Sequence, residues 1–413
     1  MKEMELYIHI PFCVKKCQYC DFLSFPAGED VQNAYVEALL REIAYYGPRC
    51  FEYTVTTIYI GGGTPSWLRE DLMAAVIRAV RRSFSVVQGA EVTIECNPGT
   101  LTERKFAVYR SLGINRLSIG MQSANDAELK HLGRIHTFDM FLRTYELARS
   151  CGFTNINVDV MNALPNQTIE QYAQSLRQVL QIKPEHISVY SLMIEKGTPF
   201  YDLYKFDAVK QHAGMQPVAL PTEDELYRMT KLTERTLKEA GYIHYEVSNF
   251  ARRGYECRHN TGYWERDNYL GLGLGAASLM ENIRYSNTRE LYEYIGGTER
   301  IRGITWRNEV TEDRGEGEYT YTDEIPATNL HVSAERITRK AQIEEFMFLG
   351  LRMIEGISRE KFERAFGVAI EAVYYEVLLQ LQQEELVVKR AGRVYLSEKG
   401  QDLSNYVLSQ FLL

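Results

Sequence analysis

The sequence predicts an α/β protein built on a parallel sheet, followed by a smaller helical, winged-helix-like module. Three observations predict it. Six strand-like apolar stretches alternate with helical stretches at intervals of about 25 to 50 residues, as repeated βα units do. Polar and glycine-rich segments stand directly after those strands, where a parallel barrel gathers its functional loops on one face. The C-terminal stretch reads as helices followed by a hairpin. Six units suit a partly open barrel; a doubly wound open sheet is the competing arrangement.

The elements follow in order. Residues 6–10 are a buried strand stopped by Pro11, and 30–46 a helix with Val31, Tyr35, Leu39 and Ile43 on one face. Residues 56–60 are a second strand, ahead of Gly61-Gly62-Gly63-Thr64-Pro65-Ser66, and 69–84 a helix striped by Leu72, Val76, Ile77 and Val80. A third strand at 91–95 ends at Asn97-Pro98-Gly99. Then come a helix at 102–112, a strand at 116–119, helices at 126–132 and 138–150, a strand at 155–160, a helix at 168–182 and a strand at 186–191. After Pro199 the pattern weakens. Residues 222–240 are a helix with Thr222 as N-cap and Gly241 past its end. Residues 248–278 are rich in aromatics and glycine, and 296–335, with Gly315-Glu316-Gly317-Glu318, read as an exposed excursion. Helices at 342–354, 359–366 and 374–383 precede a hairpin formed by 386–388 and 393–396.

The chain has 413 residues, enough for a large domain and a smaller one. Its net charge of −8 argues against general binding to nucleic acid or an anionic membrane. No apolar run reaches the roughly 18 residues of a membrane span, and residues 1–5 lack the apolar core of a signal peptide. A cytoplasmic location is expected. Seven cysteines, an odd number with four of them scattered, fit a reducing compartment better than a disulfide framework.

Cys13, Cys17 and Cys20 form C-x-x-x-C-x-x-C just after the first strand. Three thiolates on one loop can converge on one metal centre. An iron–sulfur cube held by three cysteines leaves one iron open, whereas structural zinc needs a fourth Cys or His; His9 is the nearest candidate. The glycines at 61–63 let backbone approach a ligand closely, although a glycine run alone is more often a tight turn.

C-x-x-x-C-x-x-C after a first strand resembles the radical S-adenosylmethionine (SAM) superfamily. The resemblance implies a partial (βα)6 barrel and a [4Fe–4S] cluster on Cys13, Cys17 and Cys20. It also implies SAM chelating the open iron, where an electron from the cluster can cleave it to a deoxyadenosyl radical. Tyr7-Ile8-His9-Ile10-Pro11-Phe12-Cys13 looks like the strand-one signature of the coproporphyrinogen-oxidase-like family. By that likeness Tyr7, Gly62, Gly63, Thr64, Glu95, Gln122, Arg134 and Asp159 stand at SAM-contacting positions. Asn162-Ala163 and Asn166 stand where this family more usually has Tyr-Gly and Gly. The oxidases proper carry a fourth cysteine where this chain has Phe22; they also have a longer N-terminal extension.

His259-Asn260-Thr261-Gly262-Tyr263-Trp264 matches H-N-x-x-Y-W, the signature of the HemW-type heme-chaperone branch. The match implies heme contact by His259, Asn260, Tyr263 and Trp264, since imidazole can ligate heme iron and aromatic rings can pack on the porphyrin. The implied partners are heme, a heme-acceptor protein of unknown identity and a reductant for the cluster, with a homodimer allowed. The expectation is a heme-transferring protein; no catalytic residue is assigned. An oxygen-independent coproporphyrinogen III oxidase, or another radical SAM heme-modifying enzyme, is the alternative. Domains are expected at 1–245 (barrel, cluster and SAM), 246–300 (the H-N-x-x-Y-W segment) and 301–413 (helical, with the hairpin). The resemblance does not extend to residues 311–335, whose role it leaves open.

Overall fold

A computed structural model describes residues 1–313 and 318–413. Lys2–Ile10 forms β1, and Glu29–Tyr46, beyond the cysteine loop, forms α1. There follow β2 (Tyr53–Gly62), α2 (Glu70–Ser83), β3 (Ser85–Cys96), α3 (Glu103–Ser111), β4 (Arg116–Gln122), α4 (Asp126–His131), α5 (Phe138–Ser150), β5 (Ile156–Asn162), α6 (Ile169–Ile182) and β6 (His186–Ser191). These six strands lie side by side in chain order and run parallel. A doubly wound sheet reverses its strand order at a switch point. The order β1 to β6 contains no reversal, so the partly open barrel is the arrangement found.

Alternate side chains of the six strands go to opposite faces. Leu6 and Ile8, Ile58 and Ile60, Val92 and Ile94, Leu117 and Ile119, Val158 and Val160, and Ile187 are buried in the main core. The register sets them in rows, with Leu6 opposite Ile58, Ile58 opposite Val92, Ile94 opposite Leu117, and Ile119 opposite Val158. The apolar faces of α1 and α2, through Tyr35, Leu39, Ile43, Met73, Val76, Ile77 and Val80, complete that core. The intervening positions carry Glu5, Tyr7 and His9, Thr57 and Tyr59, Glu91 and Glu95, Arg116 and Ser118, Asn157 and Asp159, and His186 and Ser188. The inner face is therefore polar.

Beyond β6 the structure is more regular than expected. Pro199–His212 forms α7, started by Thr198, whose hydroxyl accepts from Tyr201 N at 3.2 Å. α8 (Glu223–Glu239) has the expected N-cap at Thr222, with Glu225 completing a capping box. β7 (Ile243–Glu246) and β8 (Asn249–Ala251) extend the sheet antiparallel past β6, and α9 (Arg258–Glu265) carries the H-N-x-x-Y-W residues. β9 (Tyr269–Leu272) lies parallel beside β1; β10 (Ala277–Met280) and β11 (Ile283–Asn287) continue from it, and α10 (Leu291–Thr298) follows.

The excursion expected at 296–335 is corrected. β12 (Gly303–Asp313) and β13 (Glu318–Thr328) form a hairpin, and β14 (His331–Arg336) pairs with β11 at the sheet edge. Ile304, Trp306, Ile325, Ala327 and Ala334 give this arm a small apolar cluster with Ile283 and Tyr285. Of the Gly-Glu-Gly-Glu segment, residues 315–317 lie outside the described residues. The complete sheet has 12 strands, is mixed and stays open.

The C-terminal part comprises α11 (Arg339–Gly350), β15 (Ile357–Ser358), α12 (Arg359–Phe366), α13 (Ile370–Gln383), β16 (Val387–Arg390), β17 (Arg393–Leu396), α14 (Glu398–Asp402) and α15 (Ser404–Ser409). It buries its own core, which includes Met347, Phe362, Leu378, Val394 and Phe411. The expected hairpin is β16–β17, with β15 as a short third strand.

Candidate functional site

The cysteine loop is tied down by backbone. Cys13 N donates to Phe25 O at 3.1 Å and Phe25 N to Pro11 O at 2.9 Å. Phe12 is wholly buried, edge-on to Phe25 and Tyr35. Gln18 N donates to Leu132 O, and Phe200 N to Gln18 O, both at 3.0 Å. The loop is thus clasped between the segments that follow β4 and β6. From the other side Gly63 N donates to Ile10 O at 2.9 Å and Thr64 N to Phe12 O at 2.7 Å. A Cβ on Gly63 would stand 2.8 Å from Phe12 O and 2.9 Å from Cys13 Sγ. That close approach explains the glycine. Gly61 and Gly62 lie inside β2 rather than after it, so the strand itself delivers them to the loop.

A chain of hydrogen bonds links two of the thiols. Thr64 Oγ1 donates to Cys13 Sγ at 3.4 Å, Asn97 Nδ2 to Thr64 Oγ1 at 2.8 Å, and Arg134 Nη2 to Asn97 Oδ1 at 2.6 Å. Arg134 Nη1 reaches Cys17 Sγ at 3.7 Å, and Nη2 also donates to Gly120 O at 2.9 Å. Arg134 Nε is buried with no partner. A Cβ on Gly120 would crowd Gln122 Nε2, Arg134 Nη2 and Asn97 Oδ1. Gln122 ends β4 at φ 69°, beside a register shift.

The donor set suits an iron–sulfur cluster better than zinc. Three thiols share the loop, and His9 is spent: its Nε2 is 2.9 Å from Leu23 O and its Nδ1 3.0 Å from Tyr7 Oη. Among the described residues no three His, Cys, Asp or Glu side chains already form a metal cage. Burial pushes the Cys20 thiol up, so deprotonation there is coupled to metal arrival. The unpartnered Arg134 Nε and the glycine cradle are what a carboxylate-bearing ligand such as SAM would use.

Two half-buried carboxylates face the same space. Glu95 accepts from Tyr59 Oη at 2.9 Å and from Gly62 N at 3.1 Å. Burial, then Asp159, pushes its carboxyl up to about 7. Asp159 accepts from Asn157 Nδ2 at 2.7 Å and from Ser118 Oγ at 3.3 Å. Tyr7 stacks on Tyr59 with ring centroids 6.3 Å apart. Tyr7, Gly62, Gly63, Thr64, Glu95, Gln122 and Asp159 come from β1 to β5 or from the segments just beyond those strands, and Arg134 comes from the turn after α4. Sequence reasoning missed Asn97 and Tyr59. Asn97 follows β3 directly, and Tyr59 shares the inner face of β2 with Thr57; strand alternation was the available signal.

Ala163 and Asn166, in the turn after β5, both have positive φ, 59° and 61°. They adopt the left-handed conformation that glycine takes freely, at a cost of about 1 kcal/mol for alanine. The turn therefore keeps its shape without the glycines.

The H-N-x-x-Y-W helix is built into the inner face. Glu91 of β3 accepts from Arg258 N at 3.2 Å and from His259 N at 3.3 Å, capping α9 where Cys257 offers no side-chain cap. Gly262 sits over Glu5, and a Cβ there would collide with the carboxyl. His259 is 1% exposed. Its Nδ1 is 2.7 Å from Thr57 Oγ1, its Nε2 is 3.0 Å from Tyr263 Oη, and its ring stacks on Tyr59 at 5.1 Å. Burial, then Arg116, pushes its pKa down to about 3. This neutral ring presents no free nitrogen; heme iron could reach it only if Tyr263 moved. Trp264 Nε1 donates to Glu246 Oε2 at 2.9 Å, with the Arg352 guanidinium over the indole. Asn260 and Tyr263 are half-buried.

Glu5 Oε2 lies 3.6 Å from His259 Nδ1 but has no hydrogen-bond partner. Burial, then Asp267, pushes the Glu5 carboxyl up to about 9. Both members of the pair are neutral near pH 7. A raised carboxyl contributes stability that is complete below its unfolded value near 4.5 and is lost as pH rises through about 9. His259 adds an opposite slope, confined below 6.5. Glu5→Gln is expected to flatten the decline in melting temperature between about pH 6.5 and 9. A scanning-calorimetry series in which variant and wild type decline in parallel would contradict this.

Residues 7–179 match the model of the Radical SAM superfamily, and residues 337–403 that of the HemN C-terminal domain. Over 413 residues the chain is 34% identical to the protein named Heme chaperone HemW of Lactococcus lactis, covering 100% of this chain and 98% of that one. This chain belongs to the HemW branch of the radical SAM superfamily. Its likeness to the HemW of Bacillus subtilis is 32% over 98% of both chains, and to that of Escherichia coli 40% over 66% of this chain and 69% of the other. Among solved structures, the coproporphyrinogen III oxidase HemN of Escherichia coli superimposes with a TM-score of 0.78 at 22% identity, covering 100% of this chain and 90% of the other. That likeness shows the fold alone. Membership of the superfamily implies SAM and an iron–sulfur cluster, and the HemW branch shares this fold with HemN while its members carry a different name.

Proposed function

We propose that this HemW-family chain binds heme and passes it to an acceptor protein. The observation that carries the proposal is the full-length likeness to proteins named heme chaperones. Phe22, 71% exposed where the oxidases have a fourth cysteine, supports it. In this reading Cys13, Cys17 and Cys20 hold a [4Fe–4S] cluster. Tyr7, Gly62, Gly63, Thr64, Glu95, Gln122, Arg134 and Asp159 hold SAM beside it. Cluster and SAM together supply one-electron reductive chemistry when bound. Arg134 is set to pair with a carboxylate, and Glu95 and Asp159 to accept from hydroxyl or amine groups. His259, Asn260, Tyr263 and Trp264 form the heme-linked motif, with Tyr263 and Trp264 as its more accessible rings. A low-potential reductant serves the cluster. The seven free thiols suit a reducing cytoplasm.

The test uses protein whose cluster has been rebuilt anaerobically. Heme titration is expected to give a saturable Soret band, and added apomyoglobin to take the heme away. SAM and coproporphyrinogen III form the second arm. Protoporphyrinogen formed over several turnovers, with no heme transfer, would replace the chaperone reading with that of the oxidase.

A further inference from the structure

We propose that His259 and Tyr59 are positioning residues of the SAM pocket: His259 fixes the Tyr59 ring, and the Tyr59 hydroxyl fixes Glu95. The inference rests on the SAM reading of that pocket and assigns the motif histidine a role apart from heme contact.

Tyr59 lies on the inner face of β2 between two rings. Tyr7 stacks on it at 6.3 Å and 22°, and His259 at 5.1 Å and 19°. The imidazole cannot turn freely, because Thr57 Oγ1 at 2.7 Å and Tyr263 Oη at 3.0 Å engage its two nitrogens. The phenol it supports donates to Glu95 Oε1 at 2.9 Å, while the other carboxylate oxygen accepts from Gly62 N at 3.1 Å. Both oxygens of Glu95 are therefore oriented, one by the glycine strand and one through Tyr59. The neighbouring Gly61 leaves space for this pair: a Cβ there would stand 3.0 Å from the Tyr59 ring and 3.1 Å from Glu95 Oε1. A continuous set of contacts thus runs from Tyr263, through His259 and Tyr59, to the carboxylate beside the cluster loop. Held carboxylates bind better than mobile ones, because the cost of ordering them is met on folding. Burial of Glu95 makes its orientation matter further, since a carboxyl that loses its donor is harder to keep ionised.

The experiment measures SAM affinity by equilibrium dialysis on protein with its cluster rebuilt, alongside the electron paramagnetic resonance spectrum of the reduced cluster with and without SAM. Tyr59→Phe keeps the stacked ring and removes only the hydroxyl. His259→Ala removes the support, and His259→Phe restores a ring able to stack on Tyr59 without the bonds to Thr57 and Tyr263. Tyr59→Phe is expected to weaken SAM binding about tenfold, the scale of one hydrogen bond to a charged group. His259→Ala is expected to weaken it by a similar factor, His259→Phe to recover most of the loss, and the Tyr59→Phe/His259→Ala double variant to be little worse than either single one. The SAM-induced change in the cluster spectrum should shrink in parallel, while heme affinity in Tyr59→Phe stays at the wild-type value. SAM affinity within twofold of wild type in Tyr59→Phe overturns the proposal, and additive losses in the double variant overturn the linkage between the two residues. Should His259→Ala fail to fold, Tyr59→Phe alone decides. Wild-type protein that binds no SAM would remove the pocket itself. Failure of heme transfer, measured separately, would leave the SAM result standing.

Discussion

Cys17→Ser is expected to abolish the cluster while sparing the fold. Iron and acid-labile sulfide should fall from about four of each per chain to below about one. The loop's shape does not depend on the thiol. It is set by Cys13 N on Phe25 O, Phe25 N on Pro11 O, Gln18 N on Leu132 O and Thr64 N on Phe12 O, and by the buried ring of Phe12. Cys17 is half-exposed, and its thiol accepts from Arg134 Nη1 at 3.7 Å. The melting temperature of the metal-free variant should therefore match that of the metal-free wild type. SAM binding should be lost with the cluster, because Arg134 and Glu95 would then hold only the outer parts of the ligand. Zinc retained at one ion per chain by Cys17→Ser, with no iron in the wild type, would rule out the cluster assignment.

The second large effect is on stability. Glu42 of α1 is wholly buried and accepts three hydrogen bonds, from Gly273 N at 2.7 Å, Asn287 Nδ2 at 2.6 Å and Tyr294 Oη at 2.6 Å. It ties the glycine-rich turn after β9, the end of β11 and α10 to the helix beside the cysteine loop. Desolvation pushes its carboxyl up to about 7 in spite of the three donors. Glu42→Ala would strip Gly273 N and Tyr294 Oη of their acceptor and leave Asn287 Nδ2 with Gly273 O alone. A loss of about 3–5 kcal/mol is expected, the scale of breaking a buried charged network from one side. Glu42→Gln keeps one acceptor oxygen and should lose less. Urea unfolding monitored by near-ultraviolet circular dichroism measures both. A Glu42→Ala midpoint equal to that of wild type would mean that water replaces the carboxylate. Gly273 is part of the same joint: its φ is 105°, and a Cβ there would meet Tyr35 Oη and His9 O.

The parts legible in the sequence were those where one physical rule acts alone. Apolar stretches such as Leu6–Ile8–Ile10 and Ile58–Ile60 gave β1 and β2, and Pro11 gave the end of β1, whereas β2 runs on through Gly61 and Gly62. The cysteine spacing and the glycines gave the loop and its neighbour. α7 was missed because its apolar residues ring the helix instead of lining one side: Phe200 is buried, whereas Leu203, Phe206 and Val209 are exposed. β12 and β13 were missed although their described side chains alternate between exposed and sheltered, because polar Asn308 and Asp323 share the sheltered side with Ile304, Trp306, Ile325 and Ala327 and blur the apolar signal. The burial of His259 was illegible for a further reason. The inner face of this sheet is polar, so a histidine, a threonine and a glutamate can be interior residues without any apolar signal. Asn97 was visible as a turn residue, but its bonds to Thr64 and Arg134 are long-range and appear only once β2, β3 and β4 are side by side.

The alternation of β1 to β6 also shapes how such a chain can change over time. Each strand carries two interleaved messages, one read by the helices and one by the ligand space. A substitution alters a single message, whereas insertion of one residue in mid-strand exchanges both at once for everything downstream in that strand. Drift in ligand preference can therefore accumulate one letter at a time on the inner positions while the outer ones stay legible to α1 and α2. Changes of length fall more easily in the segments between strands, or are absorbed by a bulge such as the one beside Gln122. Descendants of one barrel can in this way take up new ligands while their folding remains the same.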